Sequence, residues 1–301
     1  MRRRRQQGLS LIELMIAMAL GMGVALAALA LLNAARASYI AVSEGAMVQD
    51  SGRFALDVIA RAVRQANYLP HDNPVSLALL ALETTLLAPG VSGLDNSRLT
   101  SNTSALSAPQ SNVANHGSDV LAVRYFGSGA HNKADGSIVN CAGVAIAAPA
   151  TANVVATVDG AEAERSWSIF YVAADSSGEP ELRCKFPTRK GGWDSVALAR
   201  GVEAFQVLYG VADAGDGVVT QYRNAAQMSP LQWRQVGAVR VALLVRGEQD
   251  GGSDAPDADY ALFGAGYRNG LDPGVTISEF KQPRRLRKLY QSTIQLRNAA
   301  P

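Results

Sequence analysis

From Leu14 to Leu32 the chain carries no charged residue. At about 1.5 Å per helical residue that stretch runs about 28 Å, close to a hydrocarbon core of about 30 Å. Four consecutive arginines, Arg2 to Arg5, precede it. Positive flanks stay in the cytoplasm, so the residues beyond Leu32 are expected outside the inner membrane of a two-membrane cell. One carboxylate, Glu13, stands at the head of the run. A charge within an apolar helix costs about 2.5–3.5 kcal/mol on insertion scales, so Glu13 needs a partner.

Three simpler readings compete. A cleaved secretory signal could end at Ala35-Arg36-Ala37, but the apolar run exceeds the usual signal core of about 7–15 residues. A plain signal anchor gives Glu13 no role. A buried core helix does not suit the arginine block or the length.

The chain has 301 residues, and about 235 remain beyond the apolar helix, enough for one large domain or two small ones. Once the leader arginines are set aside, 24 basic side chains face 26 acidic ones. The basic overall balance is therefore a leader effect and does not indicate nucleic-acid binding.

Beyond Asn33 small or apolar residues recur at Met47/Val48, Ser51, Phe54/Ala55, Val58/Ile59, Ala62/Val63 and Ala66, a helical period with one apolar face. Asp57 and Arg61 are spaced for a surface ion pair. Pro70 and Pro74 are expected to stop the helix, giving one helix from about Leu9 to Asn67. Residues 88–118 read as a long surface segment. Strand patterns follow at Asp119–Phe126, Trp167–Ala173, Glu181–Phe186, Val202–Val211, Val236–Arg246 and Leu289–Arg297. Val239, Val241, Leu243 and Val245 share one face, and Arg240 and Arg246 point to the other. Gly/Asp-rich turns in place of helical crossovers argue for mostly antiparallel sheets. The expected fold class is α+β: one long N-terminal helix laid on sheet.

The segment Arg2-Arg3-Arg4-Arg5-Gln6-Gln7-Gly8-Leu9-Ser10-Leu11-Ile12-Glu13-Leu14 resembles the type IV prepilin signature. That resemblance implies cleavage between Gly8 and Leu9, N-methylation of Leu9, and Glu13 as the fifth residue of the mature chain. It also implies that Glu13 faces the free amino terminus of a neighbouring subunit, setting register during assembly. Three later segments resemble the PilW-like minor pilin family: Gly201 to Gly210, Trp233 with Val236 to Arg246, and Thr293 to Asn298. The implied partners are other minor and major pilins, a prepilin peptidase and an inner-membrane assembly platform. The implied role is in starting pilus assembly. Residues 1–8 would be the cleaved cytoplasmic leader, 9–67 the helix with 14–32 in the membrane, and 68–301 a β-rich outer domain. A pseudopilin of a type II secretion system shares the N-terminal signature. A membrane-anchored periplasmic binding module is the alternative from another class.

Cys141 and Cys184 read as a disulfide in an oxidising compartment, with two buried thiols as the alternative. Neither they nor His71, His116 and His131 have metal-ligand spacing. Asp213-Ala214-Gly215-Asp216-Gly217 and the acidic stretch from Glu248 to Asp259 resemble pieces of calcium loops, but solvated turns explain both. The cluster Lys281, Arg284, Arg285, Arg287 and Lys288 reads as a solvated, protected strand edge. Contact with an acidic neighbour subunit or with DNA is the alternative there. Trp167, Trp193 and Trp233 read as packing residues. No hydrolase elbow, zinc-protease helix, phosphate loop or dinucleotide turn is present, so no catalytic residue and no cofactor is expected.

Overall fold

The computed structural model describes residues 10–70, 78–79, 87–99, 106, 115–150, 152–188, 191–212, 217–250, 259–267, 272–280 and 282–298. Helix α1 runs Leu11–Gln65, 55 residues, or about 80 Å at about 1.5 Å per residue. Every helix residue up to Tyr39 is exposed. Burial begins at Glu44 and continues through Val48, Gly52, Ala55, Ile59, Ala62, Val63 and Ala66. Steps of three and four keep these on one face. Phe54, expected inside with Ala55, is 52% exposed. The apolar face is narrower than its sequence suggests because small residues let the sheet come close. A Cβ on Gly52 would overlap the Tyr290 ring.

The helix ends before the prolines expected to stop it. Ala66 is its C-cap, and Asn67 takes a left-handed conformation, φ 57°, which Asn tolerates better than most residues. The Asn67 N–H then donates to the Arg124 carbonyl, 3.1 Å, so chain reversal and attachment to the sheet happen together.

The strands are β1 (Val91–Leu94), β2 (Val120–Tyr125), β3 (Gly129–Ala130), β4 (Lys133–Ala134), β5 (Ser166–Ala174), β6 (Pro180–Pro187), β7 (Trp193–Arg200), β8 (Val202–Ala212), β9 (Val219–Arg223), β10 (Val236–Asp250), β11 (Tyr260–Ala261), β12 (Thr276–Ile277) and β13 (Arg285–Gln295). One sheet has the order β1-β2-β5-β6-β7 and a second β13-β10-β8-β9, with two small hairpins, β3-β4 and β11-β12. Every ladder is antiparallel.

The main core joins α1 to one face of each sheet. Leu121, Val123, Phe170 and Leu182 come from the first, and Phe205, Val207, Val239, Val241 and Leu243 from the second. The other face of the second sheet is also covered. Ala204, Leu208, Ala242 and Leu244 pack against Leu262, Phe263, Val275 and Ile277. Alternation along β8 and β10 identifies the inner face but not this second layer, because Gln206, Arg240 and Arg246 share the outer face with these apolar residues and read as solvent-facing. The segment 88–118, read as a surface connection, contributes β1 at the edge of the first sheet. Two further edge strands, β7 and β9, lacked a clear sequence pattern and are mostly half-exposed.

Candidate functional site

The outstanding surface of the molecule is the bare half of α1. Leu11, Ile12, Met15, Leu20, Val24 and Leu31 are all more than 60% exposed, far beyond what a water-facing helix presents. Among the described residues this is the one helix long and apolar enough to cross a membrane. Its first turn is closed by a capping box. Ser10 Oγ accepts from the Glu13 N–H at 3.2 Å, and Glu13 Oε2 accepts from the Ser10 N–H at 2.9 Å. Ser at the N-cap with Glu three residues on is a helix-start pattern; it fixes the start at Leu11, and Ser10 was the residue to find. Glu13 thus holds its own helix end through one oxygen. Gly8 and Leu9 lie outside the described residues.

Where α1 meets the domain, the buried carboxylate of Glu44 is its first fixed point. Glu44 Oε2 accepts from the N–H groups of Glu248 at 2.7 Å and Gln249 at 3.3 Å, at the irregular end of β10. A Cβ on Gly247 would overlap that carboxylate. The helix is therefore pinned to the sheet by hydrogen bonds as well as by packing. The local sequence gives no sign of this role, since Glu44 stands between Ser43 and Gly45 in the helix.

Beside this seat lies a buried charge network that the sequence did not reveal. Glu203 on β8 accepts from Arg287 Nε at 2.7 Å and Nη2 at 3.2 Å, and from Arg246 Nη1 at 3.2 Å. His116 Nε2 is 3.6 Å away. Arg246 also reaches Glu179, which takes Arg285 as well, each at 2.7 Å. Arg287 stacks over Phe280, 4.1 Å from the ring centroid. Burial alone would push the Glu203 carboxyl up. The hydrogen bonds from His116 and Arg287 and the charges of Arg287 and Arg246 hold it down at about 2. The hydrogen bond from Arg285 foremost keeps Glu179 below the usual carboxylate range. This corrects the reading of the basic cluster as a solvated edge. Arg285 and Arg287 turn inward to paired carboxylates, while Arg284 and Lys288 remain exposed. Lys281 is outside the described residues.

A second polar seam joins the two sheets. Asp119 at the head of β2 accepts from the Val207 N–H at 2.8 Å and the Asn96 N–H at 3.1 Å. Asp95 accepts from Ala225 and Ala226 at 2.9 and 2.7 Å. Burial, with the neighbouring Asp95 charge, raises Asp119 well above the ordinary value. Burial also raises Asp95 and lifts Asp272 to about 6.

Cys141 and Cys184 are joined by a disulfide, Cα–Cα 5.9 Å, tying the turn after Asn140 to β6. Among the described residues no three His, Cys, Asp or Glu side chains come together to hold a metal ion. His71, Asp213 to Asp216, and Asp254 and Asp257 fall outside them. Trp233 packs edge-on against Tyr209, with centroids 4.6 Å apart. Trp167 and Trp193 meet at 5.9 Å, both half-buried.

A prokaryotic N-terminal methylation motif matches residues 3–32, which takes in the bare half of α1 and Glu13. Together with a long helix seated on antiparallel sheet, it defines the class: this is a type IV pilin-like protein. The model for Type IV Pilus-assembly protein W matches residues 169–298, which contain the whole second sheet and every member of the Glu203 network except His116. Over those residues the chain is similar to pilus-assembly proteins of the PilW kind. A solved type IV-like pilin from Thermus thermophilus is similar at 16% identity and a TM-score of 0.35, over 75% of this chain and 95% of that one. No curated protein matches.

Proposed function

We propose that the protein is a non-enzymatic minor pilin that takes part in starting a type IV pilus. In this reading residues 1–8 are a cytoplasmic leader and prepilin peptidase cuts between Gly8 and Leu9. The same enzyme methylates Leu9, and residues 14–32 hold the subunit in the inner membrane. Residues 68–301 form the periplasmic domain until the assembly platform extracts the subunit into the fibre. The observation that carries it is the exposed apolar half-helix that a methylation motif takes in. Such a surface needs lipid before assembly and neighbouring helices after it. Glu13 would lend its second oxygen to the new Leu9 amine of an adjoining subunit. Burial favours that pair over either charge alone.

The PilW match over the outer domain favours the pilus over a secretion pseudopilin. A deletion strain should lose twitching motility and keep exoprotein secretion; the reverse pattern assigns the chain to secretion. Glu13→Ala should insert normally in the membrane and be depleted from sheared fibres. Normal incorporation of that variant removes Glu13 from the mechanism.

A further inference from the structure

The far end of α1 forms a second surface, remote from the apolar half. A cleft of about 530 Å³ opens between the last turns of α1, the Ser137–Ile138 segment and the end of β13. Three guanidinium groups line it, from Arg61, Arg64 and Arg297, against one carboxylate, Asp57. Asp57 is taken by Arg61 at 3.3 Å. Arg64 and Arg297 are exposed and have no ion-pair or hydrogen-bond partner among the described residues. The C-terminal end of a helix favours nearby cations, which makes it a natural platform for them.

We propose that this cleft receives an acidic peptide segment of an adjoining subunit, a partner chemistry that rests on the pilin reading above. Two carboxylates would pair with Arg64 and Arg297. A bilayer surface is a poor occupant, because Arg61 stands about 44 Å along the helix from Leu32. Two cations without a partner among the described residues are also few for a nucleic-acid backbone, where a salt-sensitive binder can make about 6–10 phosphate contacts.

The test uses the full chain in detergent micelles with a fluorescent hexaglutamate peptide, and hexaglutamine as control. Saturable binding of hexaglutamate is expected, weakened at least tenfold by Arg64→Gln combined with Arg297→Gln, and absent for hexaglutamine. Both side chains are exposed, and an unchanged urea midpoint for the double variant would show that its fold is intact. The proposal is overturned by equal binding to wild type and double variant, or by no saturable binding. Tighter arginine-dependent binding of a single-stranded oligonucleotide or of anionic vesicles overturns it too. Peptide binding reads the outer domain alone, so its failure stands apart from failure of the pilin reading, which would appear at the mature N-terminus.

Discussion

Glu203→Gln tests the buried charge network. The Glu203 carboxylate lies 2% exposed against an equally buried Arg287 and against Arg246. Removing one member of a buried ion pair costs about 3–5 kcal/mol, because the other charges stay behind without compensation. A second route to the magnitude comes from titration. The carboxyl is held at about 2 against an ordinary 4.5, and each unit is worth about 1.4 kcal/mol, so the network contributes about 3 kcal/mol. The sign follows from the depressed value. That stability is fully present above pH 4.5 and is lost as pH falls through about 2. Urea unfolding in micelles, followed by tryptophan fluorescence, reads the outer domain, since all three tryptophans lie beyond residue 166. The variant should lose about 3 kcal/mol at pH 7, and its deficit should shrink towards pH 2. A deficit under about 1 kcal/mol, or one that is the same at both pH values, refutes the reasoning.

Asp272 acts in the opposite sense. Burial raises its carboxyl from 3.8 to about 6, so the stability it contributes is present below pH 3.8 and lost as pH rises through about 6. Asp272→Asn should flatten that limb of the stability profile and leave the protein more stable than wild type at pH 8; an unchanged limb counts against it. The Cys141–Cys184 bond spans a sequence separation of 43, for which the chain-entropy model gives about 4 kcal/mol. Cys141→Ser with Cys184→Ser should lower stability by that order, and wild type in reductant should match the double variant. Equal urea midpoints with and without reductant would contradict it.

Much of this fold can be read directly from residue order. The apolar run declares a helix long enough to cross a membrane by its length alone, while the small-residue face of α1 and the inner-face alternation along β8, β10 and β13 record burial against the main core. Edge strands β1, β7 and β9 were harder, because a strand paired on one side and half-exposed need not alternate. Glu44, Glu203 and Arg287 were illegible for a deeper reason. A charged residue in a helix or a strand reads as solvent-facing until its partners are known, and those partners lie 204, 43 and 84 positions away. The capping box at Ser10 and Glu13 was fully present in local sequence. It was hidden by the stronger expectation that Glu13 answers to another subunit.

The most direct measurement is intact mass and N-terminal sequencing of the protein recovered from sheared pili and inner membranes. The account predicts a chain beginning at N-methylated Leu9. A chain that keeps Met1 and its arginines, or one that starts at Ser38, would contradict it.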